Sequence, residues 1–226
     1  MITSLSIDEI STYTSRQLNH FFPDKDAIEL KEYKSCIQIA LDRLDFCFKY
    51  VTLKHYCNGA EAIFNHLHSD QYIMYLWFLA NTIWREKQEK KICSKLYYLN
   101  KSMHAVDCAY DTNLPDIFLI FHGAGTVLGK AQYSNYFVVL HGCTVGANKG
   151  IYPVIGQGVS LAANSSVIGN CKIGNRCTIS TRTTIFQKDI ADDNTAFLNF
   201  ETNQIQIKSS KDCFAQQFFN VDLKKI

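Results

Sequence analysis

Residues 155–185 read IGQGVSLAANSSVIGNCKIGNRCTISTRTTI, and one aliphatic side chain recurs at every sixth position of this stretch. These residues are Ile155, Leu161, Val167, Ile173, Ile179 and Ile185. Neither an α-helix, with a period of about 3.6, nor a strand, with a period of about two, produces such spacing. A parallel β-helix of triangular cross-section does, because each flat face takes about six residues and three faces complete a coil of about eighteen. The pattern predicts that these side chains point inward and stack from coil to coil.

The repeat extends upstream with two irregularities. Tyr133, Val139 and Val145 keep the spacing of six, but ten residues separate Val145 from Ile155, and five separate Leu128 from Tyr133. The longer gap predicts a four-residue insertion that projects as a loop. Small residues stand four positions after the aliphatic ones, where a corner would be too tight for bulk: Cys143, Val159, Ser165, Cys171, Cys177 and Thr183. This placement predicts packing roles, not redox roles, for the three cysteines.

Composition and charge exclude several classes of function. The 226 residues are 47% hydrophobic and 19% charged, with a net charge of +2, so no basic footprint indicates nucleic acid or a membrane surface. No apolar run reaches the roughly 20 residues of a bilayer span, and the N-terminus lacks the features of a signal peptide. Nine cysteines without a Cys-x-x-Cys pair predict reduced thiols in a cytoplasmic protein. No histidine and cysteine have zinc-ligand spacing, so we expect no metal.

The first 104 residues predict a separate helical domain. Ser6-x-x-Glu9 is a capping box that opens a helix to about Phe22. Apolar spacing and turn residues predict three further helical segments. They are a helix from Ala27 to about His55, a short helix ending at His68, and a long run that is capped by Ser69-Asp70 and extends to Leu99.

The repeats resemble those of the hexapeptide-repeat acyltransferases, and most closely serine acetyltransferase and its relatives in surface-polysaccharide gene clusters. The likeness covers about residues 104–200 and rests on HGAGTVLG at 122–129, CTVG at 143–146 and PVIG at 153–156. It implies an α+β fold with three parts: an α-helical domain (1–104), a left-handed parallel β-helix (105–198) and a C-terminal tail (199–226). It also implies an acetyl-CoA-dependent O-acetyltransferase that forms a homotrimer, with trimers pairing through the helical domain as a further alternative.

The resemblance assigns the general base to His122, and a neutral imidazole suits that role because its pKa lies near neutrality. The family orients this histidine with an aspartate of the preceding coil. Asp111 is favoured because it stands just before the first proline of the β-helix, and Asp107, at the better separation, is the alternative. His141, about one coil further on, is a second candidate for the base or for a contact with substrate.

The resemblance also implies contacts with the acyl donor. A backbone N–H of Gly146 or Ala147, in the predicted loop, would hold the developing oxyanion. Positions matching the pantetheine contacts are Ala162, Ala163, Thr181 and Arg182. Arg182 and Lys188 are the cations available for the CoA phosphates, with a solvated corner charge as the equal alternative for each.

The acceptor is where the sequence departs from the serine-specific family. Members that act on serine place an aspartate directly before the base and an Arg-His pair before the proline of the loop, whereas this chain has Phe121 and Ile151-Tyr152. Phe121 and Tyr152 predict a sugar hydroxyl or amine as acceptor, because aromatic rings suit the flat face of a sugar. A serine O-acetyltransferase, which the C-terminal Ile226 favours, and a non-enzymatic trimeric scaffold are the alternatives. A hexapeptide-fold carbonic anhydrase needs three histidines, and the repeat region holds only His122 and His141.

Overall fold

The computed structural model describes residues 1–226, and its first half is built on four helices. They are α1 (Ile7–Phe21), α2 (Lys34–Phe48), α3 (Ser69–Lys87) and α4 (Lys90–His104), with a 3-10 helix at Leu30–Tyr33 and a two-stranded parallel sheet of β1 (Ile2–Thr3) and β2 (Ile63–Phe64). Helix α3 is central, since all residues from Asp70 to Ile83 are buried. None of the helices has the length and apolar character that crossing a membrane requires.

The predicted helices are partly confirmed. Helix α1 begins at the predicted capping box, in which Ser6 Oγ accepts from Glu9 N and Ser6 N donates to Glu9 Oε2. The second helix is shorter than predicted, because Ala27–Glu29 are not helical and the chain leaves the helix after Phe48. The short helix ending at His68 was a wrong prediction, since that segment contains β2.

The long run predicted from Ser69 is two helices. Gln88 ends α3 in a left-handed conformation with φ of 54°, and α4 then packs back on α3. The predicted cap was also wrong, because the N-cap of α3 is His68, which makes no side-chain capping bond. The Asp70 carboxylate instead bonds to a distant turn, described below.

Residues 107–199 form a parallel β-helix with three faces. The first face contains β4 (Phe118–Ile120), β7 (Phe137–Val139), β10 (Ser160–Leu161), β13 (Thr178–Ile179) and β15 (Asn194–Asn199). The second contains β3 (Asp107–Cys108), β5 (Val127–Leu128), β8 (Thr144–Gly146), β11 (Ser166–Ile168) and β14 (Thr184–Phe186). The third contains β6 (Gln132–Tyr133), β9 (Val154–Ile155) and β12 (Lys172–Ile173).

The register follows the predicted period. Leu161 pairs with Ile179 and Val167 with Ile185, each eighteen residues on, whereas Val145 pairs with Val167 across the predicted insertion. The six aliphatic side chains of the 155–185 stretch are at most 1% exposed, and the small residues behind the corners are also buried. All nine cysteines are unpaired, and the packing roles predicted for Cys143, Cys171 and Cys177 are confirmed by their burial.

The segment after residue 199 packs against the rest of the molecule. Strand β16 (Gln204–Ser209) pairs antiparallel with β15, and 3-10 helices follow at Phe214–Phe218 and Leu223–Lys225. Thr52 N donates to Phe218 O, and Asn220 N donates to Tyr50 O, so this segment links the β-helix to the helical domain. Leu223 is 1% exposed, whereas the terminal Ile226 is 45% exposed.

Candidate functional site

The turns from the first face to the second face stack into one edge of the prism, which we call corner A (residues 121–126, 140–143, 162–165 and 180–183). Its first turn is longer than the next. Ile120 pairs with Val139 before the turn, 19 residues on, whereas Leu128 pairs with Val145 after it, 17 residues on. The first turn therefore contains two extra residues, and it projects from the stack.

His122 lies on this longer turn. Its backbone is left-handed, with φ of 54°, and 68% of its side chain is exposed. The imidazole packs against the ring of Phe121, with 4.1 Å between the ring centroids. A side chain held by one neighbour and otherwise open to solvent can reach a proton on a bound molecule.

Asp70 anchors this turn from the helical domain. Its carboxylate, in the first turn of α3, accepts from His122 N at 2.8 Å and from Gly123 N at 3.3 Å. The same carboxylate lies 3.8 Å from His122 Nδ1, and the Asp70 side chain is only 6% exposed. The sequence predicts Asp70 as part of a helix cap, and nothing in the local pattern indicates a contact 52 residues away.

Neither aspartate predicted as the partner of His122 contacts it. The Asp111 carboxylate binds Lys130 Nζ at 2.6 Å, and Asp107 accepts from Tyr97 OH and Lys101 Nζ, each at 2.6 Å. Burial would raise the pKa of Asp107, but the hydrogen bonds from Lys101 and Tyr97 outweigh it and lower the pKa. The prediction that Asp111 contacts His122 is therefore corrected. Lys130, the partner of Asp111, follows β5 and lies at the opposite edge of the second face from His122.

His141 occupies the next turn of corner A. Asn164 N donates to His141 O, and Arg182 N donates to Ala163 O, so these turns stack in register. Gly142 N donates to Ala124 O, so His122 and His141 stand on neighbouring turns of corner A. The predicted donor contacts Ala162, Ala163, Thr181 and Arg182 continue the same edge.

The remaining predicted donor contacts lie elsewhere. We call the edge between the second and third faces corner B (residues 129–131, 147–153, 169–171 and 187–189). Gly146 and Ala147 open its largest loop, and Lys188 lies in its last turn. The six residues from His141 to Ala147 cross the second face and span at most roughly 20 Å, at about 3.3 Å per residue. Within one chain, the two groups of donor contacts stand at opposite edges of that face.

The loop of corner B is a small, ordered turn. Asn148 and Ile151 exchange two backbone hydrogen bonds of 3.0 Å, and Lys149 and Gly150 between them have positive φ, as in a type I′ hairpin turn. The ring of Tyr152 folds back over Gly129, where a Cβ would come within 3.0 Å of it. The predicted four-residue insertion thus presents Tyr152, 39% exposed, at the edge of the second face.

Charge and aromatic character differ between the predicted positions. Arg182 and Lys188 are exposed and form no ion pair, so both cations are available to an anion. Phe121 lies between His122 and Phe218 of the C-terminal segment, with 5.4 Å between the two phenylalanine centroids. Phe218 was missed by sequence reasoning, because no pattern links the C-terminal segment to this turn. No group of three side chains able to hold a metal ion is present.

Comparisons with known proteins agree with this architecture. Residues 152–187 match the family model described as bacterial transferase hexapeptide (six repeats), and no curated protein matches the sequence. The serine acetyltransferase of Neisseria gonorrhoeae has a similar structure, with a TM-score of 0.68 and 18% identity over 96% of this chain and 86% of that one. The soybean serine acetyltransferase apoenzyme is also similar, with a TM-score of 0.64 and 19% identity over 91% of this chain and 85% of that one.

A serine acetyltransferase in complex with CoA is also similar, with a TM-score of 0.66 and 17% identity over 86% of this chain and 82% of that one. At these identities the likeness establishes the fold. The predicted resemblance to hexapeptide-repeat acyltransferases and the α+β architecture of a helical domain followed by a β-helix are confirmed.

Proposed function

We propose that this protein transfers an acetyl group from acetyl-CoA to a hydroxyl or amine of a small acceptor. The observation that carries the proposal is the exposed His122 imidazole on the longer turn of corner A, beside a buried carboxylate. The similar serine acetyltransferase bound to CoA supports acetyl-CoA as the donor.

The chemistry needs a base and a place for negative charge. Nε2 of neutral His122 takes the proton of the acceptor hydroxyl while the oxygen attacks the thioester carbon of acetyl-CoA. Collapse of the tetrahedral adduct breaks the carbon–sulfur bond, and the imidazolium returns its proton to the leaving CoA thiolate. The N–H of Gly146 or Ala147 is proposed to stabilise the oxyanion.

The donor is proposed to lie along corner A. Ala162 and Ala163 present only methyl groups there, which leaves room for the pantetheine arm, and Thr181 follows on the next turn. Arg182 and Lys188, free of ion pairs, are the proposed partners of the CoA phosphates. Corner B of the same chain is too distant to close this site.

A homotrimer would bring the two corners together from different copies of the chain. Corner B of one copy would meet corner A of its neighbour, and Gly146, Ala147 and Lys188 would join the histidines there. Large apolar side chains on or beside the second face are exposed in the single chain: Val127, Ile151, Tyr152, Val154 and Phe186. Closed cyclic symmetry buries such a surface. Pairing of trimers through the helical domain remains a prediction.

We favour a sugar as the acceptor. Phe121, backed by Phe218, and Tyr152 offer apolar rings that suit a sugar face. A serine ammonium needs an exposed carboxylate, but the Asp70 carboxylate lies beneath the turn and accepts two backbone hydrogen bonds. Serine is the second candidate, because similar structures are serine acetyltransferases.

The deciding experiment is acceptor-dependent release of free CoA from acetyl-CoA, with serine compared against sugars and nucleotide sugars. We expect release with a sugar acceptor. Release with serine and with no sugar would favour a serine O-acetyltransferase. Failure of acetyl-CoA to bind in calorimetry would favour a non-enzymatic scaffold.

A further inference from the structure

The Asp70 carboxylate has no lysine or arginine partner. Every other aspartate that forms an ion pair does so with a lysine, an arginine or the N-terminal amine. The group nearest to Asp70 that can become a cation is His122, whose Nδ1 lies 3.8 Å from Oδ2. A buried carboxylate interacts more strongly with a nearby charge than an exposed one does, because less water screens it.

We propose that Asp70 is the positioning residue of His122, and this inference rests on the proposed function. Its two bonds to His122 N and Gly123 N fix the turn on which the imidazole stands. A small rotation of the ring brings Nδ1–H within hydrogen-bond distance of Oδ2. That contact holds the proton on Nδ1, leaves Nε2 free to accept the acceptor's proton, and stabilises the imidazolium that forms.

Geometry favours Asp70 over the two aspartates of the β-helix. Asp107 and Asp111 are neutralised by Lys101 and Lys130, and their carboxylates are 34% and 32% exposed. Asp70 is held by α3, whose following turns are fully buried. The helical domain therefore contributes the Asp70 carboxylate to corner A, beside the His122 imidazole.

The first test does not require activity. Nitrogen-15 NMR of labelled protein, with the His122 signals assigned by their absence from His122→Ala, reports which ring nitrogen carries the proton. We expect Nδ1–H to dominate in the neutral ring, and its share to fall in Asp70→Asn. A predominantly Nε2–H ring in the unmodified protein, or equal populations in both proteins, would overturn the proposal.

The second test is kinetic. Asp70→Asn keeps the shape and one acceptor oxygen, so we expect kcat to fall by about 10²–10⁴-fold, with the KM for acetyl-CoA unchanged. Asp212→Asn, which removes an 87% exposed carboxylate paired with Lys224, is the matched control and should retain full activity.

The His122→Ala background separates positioning from structure. If Asp70 acts through His122, Asp70→Asn should cost no further turnover there. An equal loss in both backgrounds, or an unchanged kcat in the single variant, would overturn the proposal. If the unmodified protein releases no CoA with any acceptor tested, the proposed function fails, and the NMR result still decides the role of Asp70.

Discussion

His122 and His141 are the two imidazoles of the β-helix, and they differ in their surroundings. His122 stands on a longer turn beside Asp70 and Phe121, whereas His141 is exposed and forms no ion pair. A general base must be both accessible and oriented. The difference supports our proposal of His122 as the base, and a contact between His141 and substrate stays a prediction.

His122→Ala should lower kcat by roughly 10²–10⁴-fold, the usual effect of losing a general base. Because the side chain is 68% exposed, we expect the thermal midpoint and the affinity for CoA to stay unchanged. His141→Ala should cost less. Steady-state kinetics on both variants check this, and a larger loss for His141→Ala would reverse the assignment.

Phe121 and Tyr152 lead to a prediction about serine. Each missing hydrogen bond to a charged group costs about 1.5–3 kcal/mol, so two would cost at least about 3 kcal/mol, which is more than a hundredfold in rate. We therefore expect kcat/KM for serine to be at least about a hundredfold below that for the sugar acceptor. A value for serine of about 10⁴ M⁻¹s⁻¹ or more would contradict the sugar assignment.

At the scale of the element, the glycines that follow inward aliphatic residues are not equivalent. A Cβ at Gly174 would lie 2.5 Å from Asp192 N and 2.8 Å from Ala191 C, which are backbone atoms of the next coil. At Gly146 the nearest atom would be Thr144 Cγ2, at an ordinary 3.7 Å. Of these two positions, only Gly174 requires close approach of two coils.

Gly174→Ala should therefore lower the free energy of unfolding by about 1–3 kcal/mol, because the clash forces backbone shifts. Gly146→Ala is the matched control and should change it by less than about 1 kcal/mol. Urea unfolding measures both. Equal losses in the free energy of unfolding would mean that the coils next to Gly174 can move apart to accept a methyl group.

Burial perturbs cysteines both behind the corners and elsewhere in the chain. It raises the pKa of Cys177 to about 11 and that of Cys143, both behind corners. It also raises the pKa of Cys47 in α2 to about 12 and that of Cys213 in the C-terminal segment. Thiolates are the reactive form, so these residues should react slowly at pH 8.

We expect Cys57, which is half-buried, to give the one fast reaction with a disulfide reagent, and all nine thiols to react after denaturation. Cys57→Ser should remove the fast phase. Fast labelling of Cys143 or Cys177 would show that the corners open in solution.

At the scale of the whole molecule, the separation of corners A and B determines what one chain can do by itself. One chain carries the predicted donor contacts at both edges of its second face and cannot bring them together, and Phe186 on that face is 54% exposed. In the proposed trimer, a second copy would supply the missing edge without any change of fold.

Light scattering should give three times the chain mass of 25.8 kDa, or six times if the helical domains pair. Phe186→Asp should reduce the mass and abolish turnover together, because a buried unpaired charge is costly. Phe200→Asp, which alters a 71% exposed side chain beyond β15, should leave the mass unchanged. A monomeric unmodified protein at micromolar concentration would contradict the trimer.

The period of six was sufficient to predict the β-helix, its inward residues, its tight corners and the projecting loop. Each coil repeats the same local requirement, an aliphatic side chain inside and a small one behind the corner, so the pattern is written directly along the chain. The capping box at Ser6 and Glu9 located a helix for the same reason.

Contacts between distant segments were decided by tertiary structure alone. Asp70 reaches His122 across 52 residues, and Phe218 packs on Phe121 from the C-terminal segment. The same holds for Asp111. Its coil places it at the edge of the prism where Lys130 lies, and Lys130 is therefore its partner. The helical domain, the C-terminal segment and the neighbouring coil each pack against the first coil and select one of these partners, and a one-dimensional pattern carries no record of that packing.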